Sequence, residues 1–170
     1  MKRTAFARRL SPDTLDDRKW DVNKLSTIQT GVSGEYFVAA ELSRRGYVAS
    51  LTLRNTRGID IPASNSDATK SVGIQVKTCY GTRADWMMNK KAEADLAANL
   101  FYVFVCLPQS GLPIFYVVPR NVVADYVRDS HREWLAAPGR GGRRHIDTDM
   151  RRFKDPNGLY RDRWELLGLD

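Results

Sequence analysis

The sequence is poor in cysteine and has no long apolar run. Its 170 residues include two cysteines, Cys79 and Cys106, too few for a zinc cluster or a disulfide framework. We therefore predict a reduced, cytoplasmic protein. The longest apolar run, Leu100–Leu107, is far shorter than the about 20 residues of a membrane-spanning helix. The basic segment Met1–Leu10 lacks the apolar stretch of a secretory signal, so we predict neither a membrane span nor secretion.

The chain carries an excess of basic residues. Lysine and arginine number 27 against 20 aspartates and glutamates, which gives a formal net charge of +7. A basic protein favours a polyanionic partner, because each cation placed on a phosphate releases counterions. Charge alone does not distinguish DNA, RNA and an anionic membrane surface. The length suggests one domain, and a 42% hydrophobic content is enough for a sizeable core.

The pattern of apolar residues predicts an α/β fold. Residues 1–30 are polar and mixed in charge, and we interpret them as an N-terminal arm or helix before a single domain over residues 31–170. That domain is predicted to begin with a helix at Val32–Arg45, capped by Ser33, and to end with a helical segment at Phe153–Leu169. Such an order indicates a mixed central sheet flanked by helices. The elements predicted between these helices are strands at Tyr47–Leu53, Ile59–Ala63, Val72–Tyr80, Leu100–Leu107 and Ile114–Val118, an irregular and then helical stretch at Gly81–Asn99, and a helix at Arg120–Leu135.

Polar residues stand out in three short segments of the N-terminal half. Side chains alternate along a strand, so Gln75 and Lys77 share one face while their apolar neighbours point to the core. Asp60 stands between isoleucines in the same alternation. If the two strands pair as a hairpin, Asp60 lies beside Gln75 and Lys77. The three segments, in order along the chain, are Gly34-Glu35, Gly58–Ile61 and Ile74–Lys77.

These residue types suit a divalent metal and an activated water. Carboxylate and amide oxygens are ligands that Mg²⁺ prefers, so Asp60, Gln75 and the backbone carbonyl of Val76 are candidate ligands. Glu35 falls in an otherwise apolar helical stripe, where a carboxylate is costly unless it is paired or binds metal, and it is a further candidate. Lys77 is suited to hold or deprotonate the attacking water, or to stabilise negative charge, because the pKa of a lysine moves readily in a site.

Taken singly, each of these residues has an ordinary interpretation. Asp60 suits a turn bonded to backbone, and Glu35 suits the first turn of a helix. Gln75 and Lys77 suit a solvated strand face. Their conjunction favours a functional site, because convergent polar groups mark such sites.

The ordered set of Glu35, Asp60 and Gln75-Val76-Lys77 resembles the PD-(D/E)XK nuclease superfamily, and most of all its small members similar to Holliday junction resolvases. The resemblance covers about Gly31–Tyr80 well. Gln75 departs from it, since an acid is usual there, and Glu35 can make up the missing charge. The resemblance implies a restriction-endonuclease-like fold.

The resemblance also implies an activity, a cofactor and a partner. It implies a Mg²⁺-dependent endonuclease acting on DNA, with Mn²⁺ as a possible substitute, branched or structured DNA as a narrower substrate, and a homodimer as the working form. A different interpretation is a binding or protein-interaction module on the same fold that has lost its chemistry, which Gln75 favours. An RNA-directed enzyme on the same scaffold is a third interpretation.

Basic residues flank the predicted site in loops and suit contacts with phosphates, although ordinary solubilising charge explains each one singly. Trp86, with Met87 and Met88, is predicted to form a loop that stacks on bases, covers the core or makes a dimer contact. The candidate phosphate contacts are Arg54, Arg57, Lys70, Arg83, Lys90 and Lys91.

Overall fold

A computed structural model describes residues 25–52, 58–94 and 98–170 of the chain. Most of the predicted N-terminal arm lies outside these ranges, so its separation from the remaining domain stays a prediction. Within the described ranges, no helix is both long and apolar enough to cross a membrane.

The first helix, α1, begins earlier than its apolar pattern predicts. It runs over Thr27–Arg44, and its N-cap is Ser26 instead of Ser33. The Ser26 hydroxyl accepts the Gln29 amide at 3.2 Å, and the Gln29 side chain accepts the Ser26 amide at 3.0 Å. This capping box satisfies two of the donors that a helix start leaves unpaired. The first apolar side chain that the helix buries is Val38, so periodicity alone placed the start too late.

In the described ranges, seven strands form a central mixed sheet and a smaller second sheet. They are β1 (Val48–Ala49), β2 (Ile61–Ser64), β3 (Ser71–Tyr80), β4 (Asp85–Asn89), β5 (Leu100–Leu107), β6 (Ile114–Pro119) and β7 (Met150–Lys154). The central sheet has the order β1-β2-β3-β5-β6, and β4 pairs with β7. Because β3 and β5 run parallel while their neighbours pair antiparallel, the predicted mixed sheet is confirmed.

Both faces of the central sheet are covered. On one face lie α1 and a C-terminal 3-10 helix at Trp164–Leu167. On the other lie the second sheet and the helix α2, which runs over Arg120–Ala136. Strand β5 runs between the two layers, and Phe101–Leu107 are all buried. An unbroken apolar run such as this one is typical of a strand that is buried on both faces, and the structure agrees.

The stretch after β3 that was predicted to be irregular contains strand β4. This strand pairs antiparallel with β7, so that Trp86 lies opposite Phe153. Trp86 is 2% exposed, and its ring centroid lies 4.8 Å from that of Phe104. The predicted loop is therefore a strand, and of the three alternatives covering the core comes nearest for the tryptophan, whereas Met87 is exposed.

Two predicted helical segments are wrong in part. The helix expected from Lys91 onward is a single 3-10 turn at Lys90–Glu93. The C-terminal segment at Phe153–Leu169 is not one helix, since its first residues belong to β7 and only Trp164–Leu167 is helical, in a 3-10 turn. A short apolar pattern does not separate a helix from a strand followed by turns, and pairing with the distant β4 decides the outcome here.

Candidate active site

Strands β2 and β3 pair as the predicted hairpin. They separate at the open end of the hairpin, at Asp60, the residue just before β2. The last paired residues are Ile61 and Ile74. Beyond them the Asp60 amide donates to the Ile74 carbonyl at 2.8 Å, and Asp60 Oδ2 accepts the Val76 amide at 2.8 Å. A carboxylate thus stands where the next carbonyl of the ladder would lie. A backbone donor therefore orients this carboxylate.

The backbone carbonyl of Val76 faces the same edge of β3. The N–H and C=O groups of one strand residue point to the same side, and the Val76 N–H points to Asp60. The carbonyl is therefore directed to the place where β2 has left the sheet. This direction is compatible with the ligand role predicted for it.

Close packing of α1 against β3 brings Glu35 to the same place. Gly34 approaches Thr78 so closely that a Cβ on the glycine would lie 1.9 Å from Thr78 Oγ1. Real Cβ atoms do not come that near another atom, so the approach requires glycine. Glu35 is the next residue of the helix and is half-buried.

Glu35, Asp60, Gln75 and Lys77 line one cleft of about 500 Å³, which we call the carboxylate cleft. The four residues come from three places, namely α1, the residue before β2, and β3. Gln75 and Lys77 are half-buried and share one face of β3, as the alternation predicts. The residues predicted to be catalytic are therefore brought together, and their catalytic role stays a prediction.

The donors of the carboxylate cleft suit a hard divalent cation. Glu35 and Asp60 offer carboxylate oxygens and Gln75 an amide oxygen, and Mg²⁺ binds through such oxygens while keeping several waters. Among the described residues, no three histidine, cysteine, aspartate or glutamate side chains cluster closely enough to hold a metal by themselves. The cleft thus combines two carboxylates with neutral donors, and metal dependence stays a prediction.

One of the predicted phosphate contacts, Lys91, lies near the cleft. Lys91 lines a second cavity of about 610 Å³, which also includes Gln75 and Lys77 and which we call the cationic cavity. Lys90, the preceding residue of the same 3-10 turn, is exposed and lines neither the cleft nor this cavity.

Two other predicted phosphate contacts, Arg83 and Lys70, are not brought to the cleft. Arg83 is exposed and lies 3.6 Å from Asp85. Lys70 lies near the turn of the β2–β3 hairpin, at the end away from Asp60, and donates to the backbone oxygen of Asp170. Two further candidates, Arg54 and Arg57, lie outside the described residues.

An arginine and a tyrosine that pair with each other in the cationic cavity were not among the predicted site residues. They are Arg120, the first residue of α2, and Tyr102 of β5. The Arg120 guanidinium lies over the Tyr102 ring, 5.4 Å from its centroid. Burial raises the pKa of the Tyr102 phenol, the positive Arg120 opposes this rise, and the negative Asp60 adds to it. One signal was present in the sequence, namely an arginine at a helix start, where the helix dipole favours acids.

Comparison with known proteins gives matches among solved structures. No family model matches the sequence, and no curated protein matches it. A bacterial homing endonuclease, I-Ssp6803I, is 18% identical, with a TM-score of 0.52 over 84% of this chain and 93% of that chain. The Holliday junction resolvase Hjc of Archaeoglobus fulgidus is 12% identical, with a TM-score of 0.43 over 76% of this chain and 86% of that chain. The likeness to the homing endonuclease shows the fold, and the predicted restriction-endonuclease-like architecture is confirmed.

Proposed function

We propose that this protein is a metal-dependent endonuclease that hydrolyses phosphodiester bonds in DNA. The observation that carries the proposal is the convergence of Glu35, Asp60, Gln75 and Lys77 in one cleft. The fold, which is shared with a homing endonuclease, supports it. Mg²⁺ is the proposed cofactor and Mn²⁺ a substitute, because every donor in the set is an oxygen.

The metal ligands in this proposal are Glu35, Asp60, Gln75 and the carbonyl of Val76. When bound, the ion polarises the phosphate and lowers the pKa of a bound water. The Val76 amide holds the Asp60 carboxylate in position before any ligand binds. A group that is preorganised in this way needs no reorganisation during the reaction, which favours catalysis. Gln75 contributes no charge, so Glu35 and Asp60 together supply the negative charge that the cation requires.

Lys77 acts on the reacting groups in this proposal. Its side chain lies on the same face of β3 as Gln75, and it lines both the carboxylate cleft and the cationic cavity. A lysine at that boundary places a positive charge where negative charge develops on the phosphate, and it can hold the attacking water.

Cleavage assays with a lysine variant test this function. Linear duplex, single-stranded and four-way-junction DNA, with RNA beside them, are incubated with Mg²⁺ or Mn²⁺ and either wild type or Lys77→Ala. We expect metal-dependent cutting that falls about 10²- to 10⁴-fold in the variant, while DNA affinity is largely kept. A matched control is Lys154→Ala, since Lys154 is an exposed lysine of the second sheet.

Three other outcomes have distinct meanings. Equal cutting by wild type and Lys77→Ala points to a contaminant and overturns the catalytic assignment. No cutting of any substrate, with DNA binding retained, favours a binding module on this fold. In that case the neutral Gln75, where the resemblance leads one to expect an acid, is the reason. Preferential cutting of RNA redirects the proposal to the RNA-directed alternative.

A further inference from the structure

The cationic cavity differs in charge from the carboxylate cleft beside it. Its charged side chains are Lys77, Lys91 and Arg120, and no described carboxylate lines it. Lys77 and Gln75 also line the carboxylate cleft, so the two spaces meet along β3. A ligand in this cavity therefore lies next to the proposed reaction site and faces positive charge.

Arg120 is buried here with an unmet hydrogen-bond donor. Its side chain belongs to a residue that is 8% exposed, and its Nε has no hydrogen-bond partner among the described residues. Within the described part of the chain, no carboxylate forms an ion pair with it. The Tyr102 ring beneath the guanidinium offsets only part of the free-energy cost of burying it. A ring face attracts a cation but accepts no ordinary hydrogen bond. Burying a charge without an ion-pair partner is costly. The simplest explanation is that the guanidinium pairs with an anion that binds in the cavity.

The other buried charged residues that the structure describes are satisfied. Arg151 is 4% exposed and is paired with Glu93, and it donates to the Met150 carbonyl at 3.0 Å. Asp155 is also 4% exposed and accepts two backbone amides, from Leu159 and Tyr160, each at 2.9 Å. Thr78 Oγ1 and Trp164 Nε1 are also buried without a hydrogen-bond partner, but both belong to neutral side chains. Among the buried charged residues that the structure describes, the unmet donor is therefore particular to Arg120.

The position of Arg120 on its helix adds to the positive potential. Arg120 opens α2, whose N-cap is Pro119 with no capping side chain and whose first turn has no acid. The amide end of a helix is positive, so a cation there is disfavoured and an anion is favoured. An anion beside Arg120 therefore interacts favourably with both the amide end of the helix and the buried guanidinium.

We propose that the cationic cavity binds a phosphate group of the DNA backbone, held by Arg120 and Lys91. Guanidinium donors suit phosphate oxygens, and the exposed Lys91 side chain adds a second cation at the cavity wall. Because Lys77 belongs to both spaces, this phosphate neighbours the one that is cleaved. That placement rests on the proposed nuclease function, whereas phosphate binding itself requires no cleavage.

Salt-dependent DNA binding in the absence of divalent metal tests the site. The affinity of a linear DNA duplex is measured with EDTA over a range of salt concentrations for wild type, Arg120→Gln, Arg120→Lys and Lys91→Gln. Losing one phosphate contact lowers the slope of log affinity against log salt by about 0.9 and the affinity by about tenfold. We expect this for Arg120→Gln and Lys91→Gln, with Arg120→Lys restoring most of the slope because it keeps the charge.

The matched control is Arg132→Gln, an arginine on the exposed side of the same helix that pairs with Asp129 at 2.8 Å. It should leave the slope unchanged. An unchanged slope in a folded Arg120→Gln overturns the proposal, as does a wild type that binds no DNA. If Arg120→Gln fails to fold, the exposed Lys91→Gln decides, and an unchanged slope there overturns the proposal as well. Since no cleavage is measured, failure of the nuclease function leaves this test intact.

Discussion

The carboxylate cleft and the cationic cavity adjoin along β3 and share Gln75 and Lys77, yet they present opposite charges. Glu35 and Asp60 make the cleft suited to a cation, whereas Arg120 and Lys91 make the cavity suited to an anion. A surface that keeps the two signs apart can hold a metal ion and a polyanion at once. Lys77, at the boundary, contacts both environments, which suits a group acting on a phosphate bound between them.

The two spaces also differ in how the chain builds them. The carboxylate cleft is formed by α1, the residue before β2, and β3, which follow one another in sequence. The cationic cavity combines β3 with the 3-10 turn after β4, with β5 and with the start of α2. Variants that alter one space and spare the other therefore separate metal binding from phosphate binding.

The largest expected effect comes from Asp60→Asn, which removes charge from the carboxylate cleft alone. Asparagine keeps an oxygen that can accept the Val76 amide, so the fold should be preserved. We expect metal-dependent cleavage to fall on the order of 10³-fold, because the site loses half of its negative charge. Metal-free DNA affinity should not weaken. Cleavage assays and calorimetric Mn²⁺ titration check this, and undiminished cleavage in the variant rules out Asp60 as a metal ligand.

The next effect comes from Gly34→Ala, which acts on the packing that positions Glu35. A methyl group at this glycine would meet Thr78 Oγ1 at 1.9 Å, so the helix must shift from β3. We expect the free energy of unfolding to fall by about 1–3 kcal/mol, and cleavage to fall with it. The salt dependence of metal-free DNA binding should stay as in wild type.

Gly31→Ala is the matched control for this packing effect. It lies in the same helix and lines the same cleft, but nothing stands within 4 Å of its Cβ position. We expect it to raise the free energy of unfolding by about 0.5–1 kcal/mol, since alanine favours the helix. Urea unfolding of both variants measures the difference. Equal stability of the two would contradict close packing of Gly34 on Thr78.

The smallest expected effect comes from Gln75→Glu, which changes the wall shared by the two spaces. A third carboxylate should strengthen Mn²⁺ binding about tenfold, because ligand charge count tunes such sites. It should also weaken metal-free DNA binding by placing a negative charge beside the cationic cavity. Gln109→Glu, at an exposed turn, is the control. If metal affinity is the same in Gln75→Glu and wild type, Gln75 does not face the metal.

Local patterns predicted the parts of the site that depend on short-range geometry. Strand alternation placed Gln75 and Lys77 on one face, and the structure agrees because side-chain direction along a strand has a period of two residues. The hairpin that sets Asp60 beside β3 was also foreseen, since its strands are joined by a short polar loop. The start of α1 was misplaced because a capping box, and not an apolar stripe, sets it.

Long-range pairing explains most of what the sequence did not predict. Strand β4 forms by pairing with β7, from which α2 and two further strands separate it along the chain. Trp86 therefore looked equally suited to a surface loop and a core. Arg120 was missed for the same reason, because neither its burial nor its unpartnered Nε is visible until β3, β5 and the turn after β4 surround it.

The sequence by itself determined the net positive charge, the class of the fold and the four polar residues of the carboxylate cleft, because these depend on composition and on side-chain periods of a few residues. Only the tertiary structure decided that the Asp60 carboxylate is oriented by the Val76 amide, that Gly34 lets α1 approach β3, and that a buried arginine faces a cavity beside the cleft. Those features depend on contacts between distant segments, and such contacts form only when the whole chain has packed.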